Sequence, residues 1–257
     1  MKVIISLLFS LILLSSCEDS RTGCQDFYAS NYDFGAVDAC DSCCVFPDFN
    51  MDFEFKFDEL TYSTDSIYLL LSRDSIQFKS LQIVFSDFRF VESDNEYTII
   101  DTVQFNNMTI LNNYLLLRSN RTSSNIGHTN YGADFDQLKF NLGFDNKIQD
   151  IDAINSFSED GQLKIALDSM YVDSLSELRM MEFSFILEDS LRTINFSNEI
   201  VEDIVYDVDG IIVPGRDWKL KMTVDFSVLV NDVSSAMTNN EIKDRILDNL
   251  LASISVE

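Results

Sequence analysis

Met51-Asp-Phe-Glu-Phe-Lys-Phe-Asp58 puts an apolar side chain at every second position and a charged one between. An extended chain turns successive side chains to opposite faces, so this stretch reads as a strand with one face in a core and the other in water. The same period returns in Leu138-Lys-Phe-Asn-Leu-Gly-Phe144, in Met181-Glu-Phe-Ser-Phe-Ile-Leu187 and in Leu220-Lys-Met-Thr-Val-Asp-Phe-Ser-Val-Leu-Val230. In Leu81-Gln-Ile-Val-Phe85 the apolar phase then jumps to Phe88 and Phe90, which predicts a β-bulge near Ser86-Asp87. Further strands are expected over 66–71, 97–104, 113–118, 162–168, 191–197 and 204–213. This density of strands predicts an all-β fold, an antiparallel β-sandwich over 48–257.

Glycine and proline are scarce, at 8 and 2, so Asn, Asp and Ser are expected to carry the turns through side-chain bonds to the backbone. Residues 119–135 hold no period and read as a long loop. Asp207-Val-Asp209-Gly210 starts like a Ca²⁺ loop, but Trp218 stands where the closing Glu belongs, so a turn is expected. Thr238-Asn-Asn-Glu241 has the form of a capping box. Behind it Ile242, Ile246, Leu247, Leu250, Leu251 and Ile254 recur at helical spacing, which predicts a C-terminal amphipathic helix over 239–254 packed on the sandwich.

Residues 1–16 have a secretory leader's form. Lys2 supplies the positive start, and Val3 to Leu14 is an apolar run broken only by Ser6 and Ser10, too short to span a bilayer. Leu14-Ser15-Ser16-Cys17 reads as a lipobox, so Cys17 is expected to carry acyl chains such as palmitate and to be the membrane anchor. Cys24, Cys40, Cys43 and Cys44 then remain within 17–47, an even number that predicts two disulfides in an oxidising compartment. Joining Cys43 to Cys44 would need a strained ring, so Cys24 is expected to pair with Cys43 or Cys44, and Cys40 with the other. Zinc is the rival use of Cys40-x-x-Cys43. The carboxylates Asp26, Asp33, Asp38 and Asp41 raise the alternative of a Ca²⁺-stabilised surface adhesion module.

The balance of 18 basic against 43 acidic residues, a formal charge of −25, repels phosphate backbones and excludes nucleic acid as a partner. A single histidine, His128, argues against His-based triads, and no GxSxG, HExxH or phosphate-cradling glycine loop occurs, so no enzyme activity is expected. Asp-Ser or Asp-Thr followed by an apolar residue recurs, as in Asp65-Ser66-Ile67 and Asp189-Ser190-Leu191, and matches an O-glycosylation acceptor pattern.

Gly23-Cys24-Gln-Asp-Phe-Tyr-Ala29 through Asn31-Tyr-Asp33 to Asp41-Ser-Cys43 resembles a cysteine module of Bacteroidota secreted proteins, and Glu18-Asp19 after the lipid cysteine resembles a sorting signal for the cell surface. Phe53–Asp58, Phe78–Phe90, Asp136–Asp145, Met170-Tyr171 with Met181–Glu188, and the ending Ala236–Asn249 resemble, in that order, blocks of the MbnP-like family. The resemblance implies an extracytoplasmic β-sandwich, copper binding in some members and a dihaem peroxidase among partners. His128, Met237 and Met170 are the copper donors it would use here. Val172 stands where the family has Trp, and Ser234-Ser235-Ala236 precede Met237 where a histidine is common. Trp218 and His128 read from their settings as packing and solvated-loop residues. The expected function is a lipid-anchored, non-catalytic binding or structural protein of the outer membrane, on its surface or periplasmic face, with a protein or glycan partner. A copper-binding protein is the alternative.

Overall fold

The alternation around Met51 is a strand, β1 (Asp48–Phe57), with Phe49, Met51, Phe53, Phe55 and Phe57 all buried. It belongs to a computed structural model that describes residues 21–93 and 95–257; the expected leader and Cys17 lie outside the described residues. The main elements after it are β2 (Ser75–Glu92), β3 (Leu115–Arg118), β4 (Ser123–His128), β5 (Ala133–Leu142), α1 (Ile151–Ser156) and α2 (Gln162–Met170). There follow β6 (Glu177–Leu187), β7 (Ser190–Ser197), β8 (Val201–Ile212), β9 (Trp218–Asp225), α3 (Phe226–Leu229), α4 (Asn239–Leu250) and β10 (Ile254–Val256).

Among the described residues two sheets build an all-β sandwich. The larger has nine strands gathered on β2, and the smaller has five, in the order β4-β1-β9-β10 with Leu60–Thr61 added on β1. Pairing is antiparallel throughout the large sheet, whereas β1 and β9 run parallel. Aromatic rings join the layers: Phe49 meets Phe90 at 5.1 Å, Phe57 meets Phe78 at 6.0 Å, and Trp218 meets Phe135 at 4.8 Å. Trp218 is thus a packing residue, also stacked on Phe49.

The expected bulge is present. Lys139 faces Arg89 and Asn141 faces Ser86, so Asp87 and Phe88 together oppose Phe140, and Asp87 takes φ 55°. Asn, Asp and Ser do carry turns: Asp58, Ser93, Asn106, Asn107, Ser176, Asp189 and Asp232 all have positive φ, a region these short polar side chains tolerate.

Five expectations need correction. Residues 162–168 are helical, because Leu163, Ala166, Leu167 and Met170 form one buried stripe. They pack with α1, Phe144 and Tyr114 on Val84 and Leu116, the outward-facing residues of the large sheet. The alternation from Leu220 stops at Asp225, whose carboxylate accepts from the Ser227 N–H at 3.0 Å and caps α3. The C-terminal helix ends at Leu250, and Ile254 opens β10, paired with Val224. The 119–135 region contains β4, with a register shift between Asn125 and Gly127. Asp207–Gly210 lies within β8 rather than in a turn, and a Cβ on Gly210 would sit 2.2 Å from the Phe135 ring, so glycine leaves the room that ring fills.

Candidate functional surface

The cysteine module begins with an ion pair, Arg21 to Asp33 at 2.8 Å. Cys24 is bonded to Cys44, one of the two expected partners, and its side chain is buried. The second expected bridge is not formed: Cys40 and Cys43 are free thiols. Cys40 immediately precedes the 3-10 turn Asp41–Cys43, and that turn brings the Cys43 thiol back onto the Cys40 carbonyl oxygen at 2.9 Å. Hydrogen bonding from Cys43 and Ser42 lowers the Cys40 thiol pKa, and the same contact raises that of Cys43. The acidic residues serve the local backbone. Asp26 accepts from the Tyr28 N–H and Asp33 from the Gly35 N–H, both at 2.9 Å. Among the described residues no three His, Cys, Asp or Glu side chains converge to hold a metal ion, the Ca²⁺ candidates included.

The module joins the sandwich at the Tyr28 carbonyl, which accepts from the Gly215 N–H at 3.1 Å; Gly215 has φ 71°, a conformation that favours glycine. Around this seam lie five aromatic rings. Phe27, 64% exposed, meets Tyr28 and Tyr32 edge-on, each at 5.9 Å. Tyr97 stacks on Tyr131 at 4.9 Å and donates to Glu92 at 3.1 Å. That bond to a carboxylate, then burial and the charge of Glu92 and Tyr28, raise the Tyr97 pKa. The rings come from the module, from Asn95–Thr98 and from the approach to β5. Sequence reasoning missed them as a group because loop contacts such as Gly215 N–H to the Tyr28 carbonyl bring them together, not any local spacing.

The expected copper donors do not share a site. His128 ends β4, not a free loop; its ring stacks on Phe46 at 6.1 Å and its backbone bridges Ile100. Met170 is 1% exposed inside the second core, among Leu163, Ala166 and Leu167. Met237 packs against the main core, where its carbonyl accepts from Arg192 at 3.0 Å. Each is held by its own packing, and the set does not fit a shared copper site.

Two facing sheets with a ring-filled interior, extended by a disulfide-stapled N-terminal module, define a β-sandwich protein. The family model MbnP matches residues 47–244, and the chain belongs to that family. Among solved structures it is similar to MbnP from Methylosinus trichosporium, with 13% identity over 70% of this chain and 76% of that one, at a TM-score of 0.40. No curated protein matches the chain.

Proposed function

We propose that the chain is a lipid-anchored, non-catalytic binding protein of the outer membrane, tethered through Cys17, that meets a protein partner through the aromatic seam. The observation that carries this reading is the exposed set Phe27, Tyr28 and Tyr32 beside the Tyr97–Tyr131 stack. Tyrosine and phenylalanine bring large contact area at low conformational cost, and they are enriched at protein interfaces. The site's position fits the tether: the module follows Cys17 directly in sequence. The dispersed settings of His128, Met170 and Met237 favour binding over metal chemistry.

Two measurements test the two halves. Cys17→Ala should move the protein into the soluble fraction; retention in membranes after a high-salt wash would end the lipid-anchor reading. A photo-crosslinking phenylalanine analogue at position 27, in cells of the native host, should give one discrete protein adduct. The same probe at exposed Ile211 should give none. Equal labelling from both positions, or none from 27, would remove the seam as an interface.

A further inference from the structure

On the outer face of the large sheet α1 and α2 pack over Val84 and Leu116, and Ser169 of α2 reaches as far as Arg118. Two residues back along β2 the face turns polar. Gln82 lies opposite Arg118 of β3 on one side and opposite Glu182 of β6 on the other, and Glu182 lies opposite Asn195 of β7. Directly paired residues project to the same face, so Asn195, Glu182, Gln82 and Arg118 form one row across four strands. The next row holds Ser80, Ser184 and Thr193, with the last two hydroxyls 2.9 Å apart. At the β3 end of these rows is a cleft of about 280 Å³, lined by Lys79, Ser80, Leu81, Gln82, Arg118, Ser119 and Asn120.

Acidic residues outnumber basic ones 43 to 18, yet no carboxylate lines this cleft. The row's own carboxylate, Glu182, is held by Arg179 at 2.9 Å. Among the described residues Lys79, Arg118 and neighbouring Arg121 make no ion pair. Arg118 donates one guanidinium N–H to Ser169, while its Nε is buried without any partner. Burial, then the charge of Arg121, lower the Arg118 pKa, as expected of a cation with no counter-ion. A buried, unpaired donor on a charged group costs stability, and a ligand that accepts from it relieves that cost.

The geometry points to this cleft as a binding site for a small hydroxylated monoanion of the hexuronic acid type. A carboxylate matches the guanidinium fork of Arg118 and the ammonium of Lys79. The neutral polar groups of Ser80, Gln82 and Asn120 are suited to sugar hydroxyls. Ser119 Oγ accepts from the Leu81 N–H at 3.0 Å, which fixes that side chain at the cleft's edge. The volume falls just below the usual range for ligand sites, which suits one sugar ring and excludes a nucleotide or a helix. The −25 charge of the chain disfavours a polyanion and leaves a single negative charge as the tolerable load.

The test is a titration of the full-length chain, followed by calorimetry and backbone NMR, with galacturonate, glucose and inorganic phosphate. Galacturonate should saturate with a Kd on the order of 1 mM, the range for a ligand of this size. Shifts should centre on residues 79–82 and 118–120. Glucose should bind at least ~10-fold more weakly, since it lacks the charge that meets Arg118. Arg118→Gln and Lys79→Glu should each weaken galacturonate by ~10-fold or more. Lys79 is exposed, so Lys79→Glu keeps the test valid if Arg118→Gln proves unstable. No saturation by galacturonate, equal binding of glucose, or full binding by a folded Lys79→Glu variant would overturn the site. Phosphate binding as tightly as galacturonate would overturn the sugar assignment.

Discussion

Replacing Phe78 with alanine is expected to remove about 3–5 kcal/mol of stability, the scale for deleting a fully enclosed ring. Phe78 has no exposed surface, and its ring is 4.5 Å from Phe226, 5.6 Å from Tyr68, 5.8 Å from Phe183, 6.0 Å from Phe57 and 6.2 Å from Tyr62. Those neighbours come from both sheets and from α3, so this one side chain ties the sandwich together at one end. Rings are stiff, with few rotamers to fill a void, and the walls would collapse little. The denaturant midpoint should therefore fall while its slope stays the same. Phe78→Leu, which keeps most of the volume, should cost much less. A loss below about 1 kcal/mol for the alanine variant would mean that the cluster repacks freely, contrary to its close contacts.

The strands that show one face to water were legible in sequence for a physical reason. In β1 the solvent side carries Asp48, Asn50, Asp52, Glu54 and Lys56, and in β6 Glu182 and Ser184 alternate with Met181, Phe183 and Phe185, so period two survives there. Where both faces are covered, the period disappears. Ile83, Val84, Phe85 and Ser86 are all buried, because the sandwich lies on one side and the α1–α2 layer on the other. That helical layer was itself misread. Leu163, Ala166, Leu167 and Met170 have helical spacing, but the segment is only nine residues long, and so short a run fits either period. Its start is fixed by Gly161, at φ 139°, a conformation open to glycine and invisible in a pattern of apolar residues. The ending shows a similar ambiguity. Ile254 follows Leu250 by four positions, which continues a helical stripe, and it is also the first inward residue of β10. Tertiary pairing with Val224 decides the matter, and no local signal encodes that partner.

The functional surfaces were less legible still. The cysteines were identifiable as a module, because their count and spacing are local facts. The pairing of Cys24 with Cys44, and the Cys43 thiol turned toward the Cys40 carbonyl, depend on one 3-10 turn. His128, Met170 and Met237 were gathered by resemblance, whereas the chain distributes them among β4, the second core and the segment before α4. Conversely, Gln82, Arg118, Glu182 and Asn195 look like ordinary polar positions on four separate strands. Only register sets them in one row.

Ile246→Asp is expected to destabilise the domain by roughly 2–4 kcal/mol, the scale for placing an unpaired charge in an apolar contact. The helix α4 begins with a complete capping box: Glu241 N–H donates to Thr238 Oγ1, and Thr238 N–H donates to the Glu241 carboxylate. From that fixed start Ile242, Ile246 and Leu250 fall on one side, and all three are buried in the main core. The position is held from several directions. Asn249 donates to the carbonyls of Leu229 and Asn231, and Lys243 lies 5.4 Å from the Phe196 ring of β7. An aspartate at 246 would sit in the main core, where Ile246 has no exposed surface. Leu250→Asp should behave alike, whereas Asp244→Ala, on the exposed side, should change stability by no more than about 0.5 kcal/mol. If both core variants kept the native melting temperature, the stripe would not be packed on the sandwich. The helix would then be a docking element, and its partner rather than its own core would explain the apolar spacing.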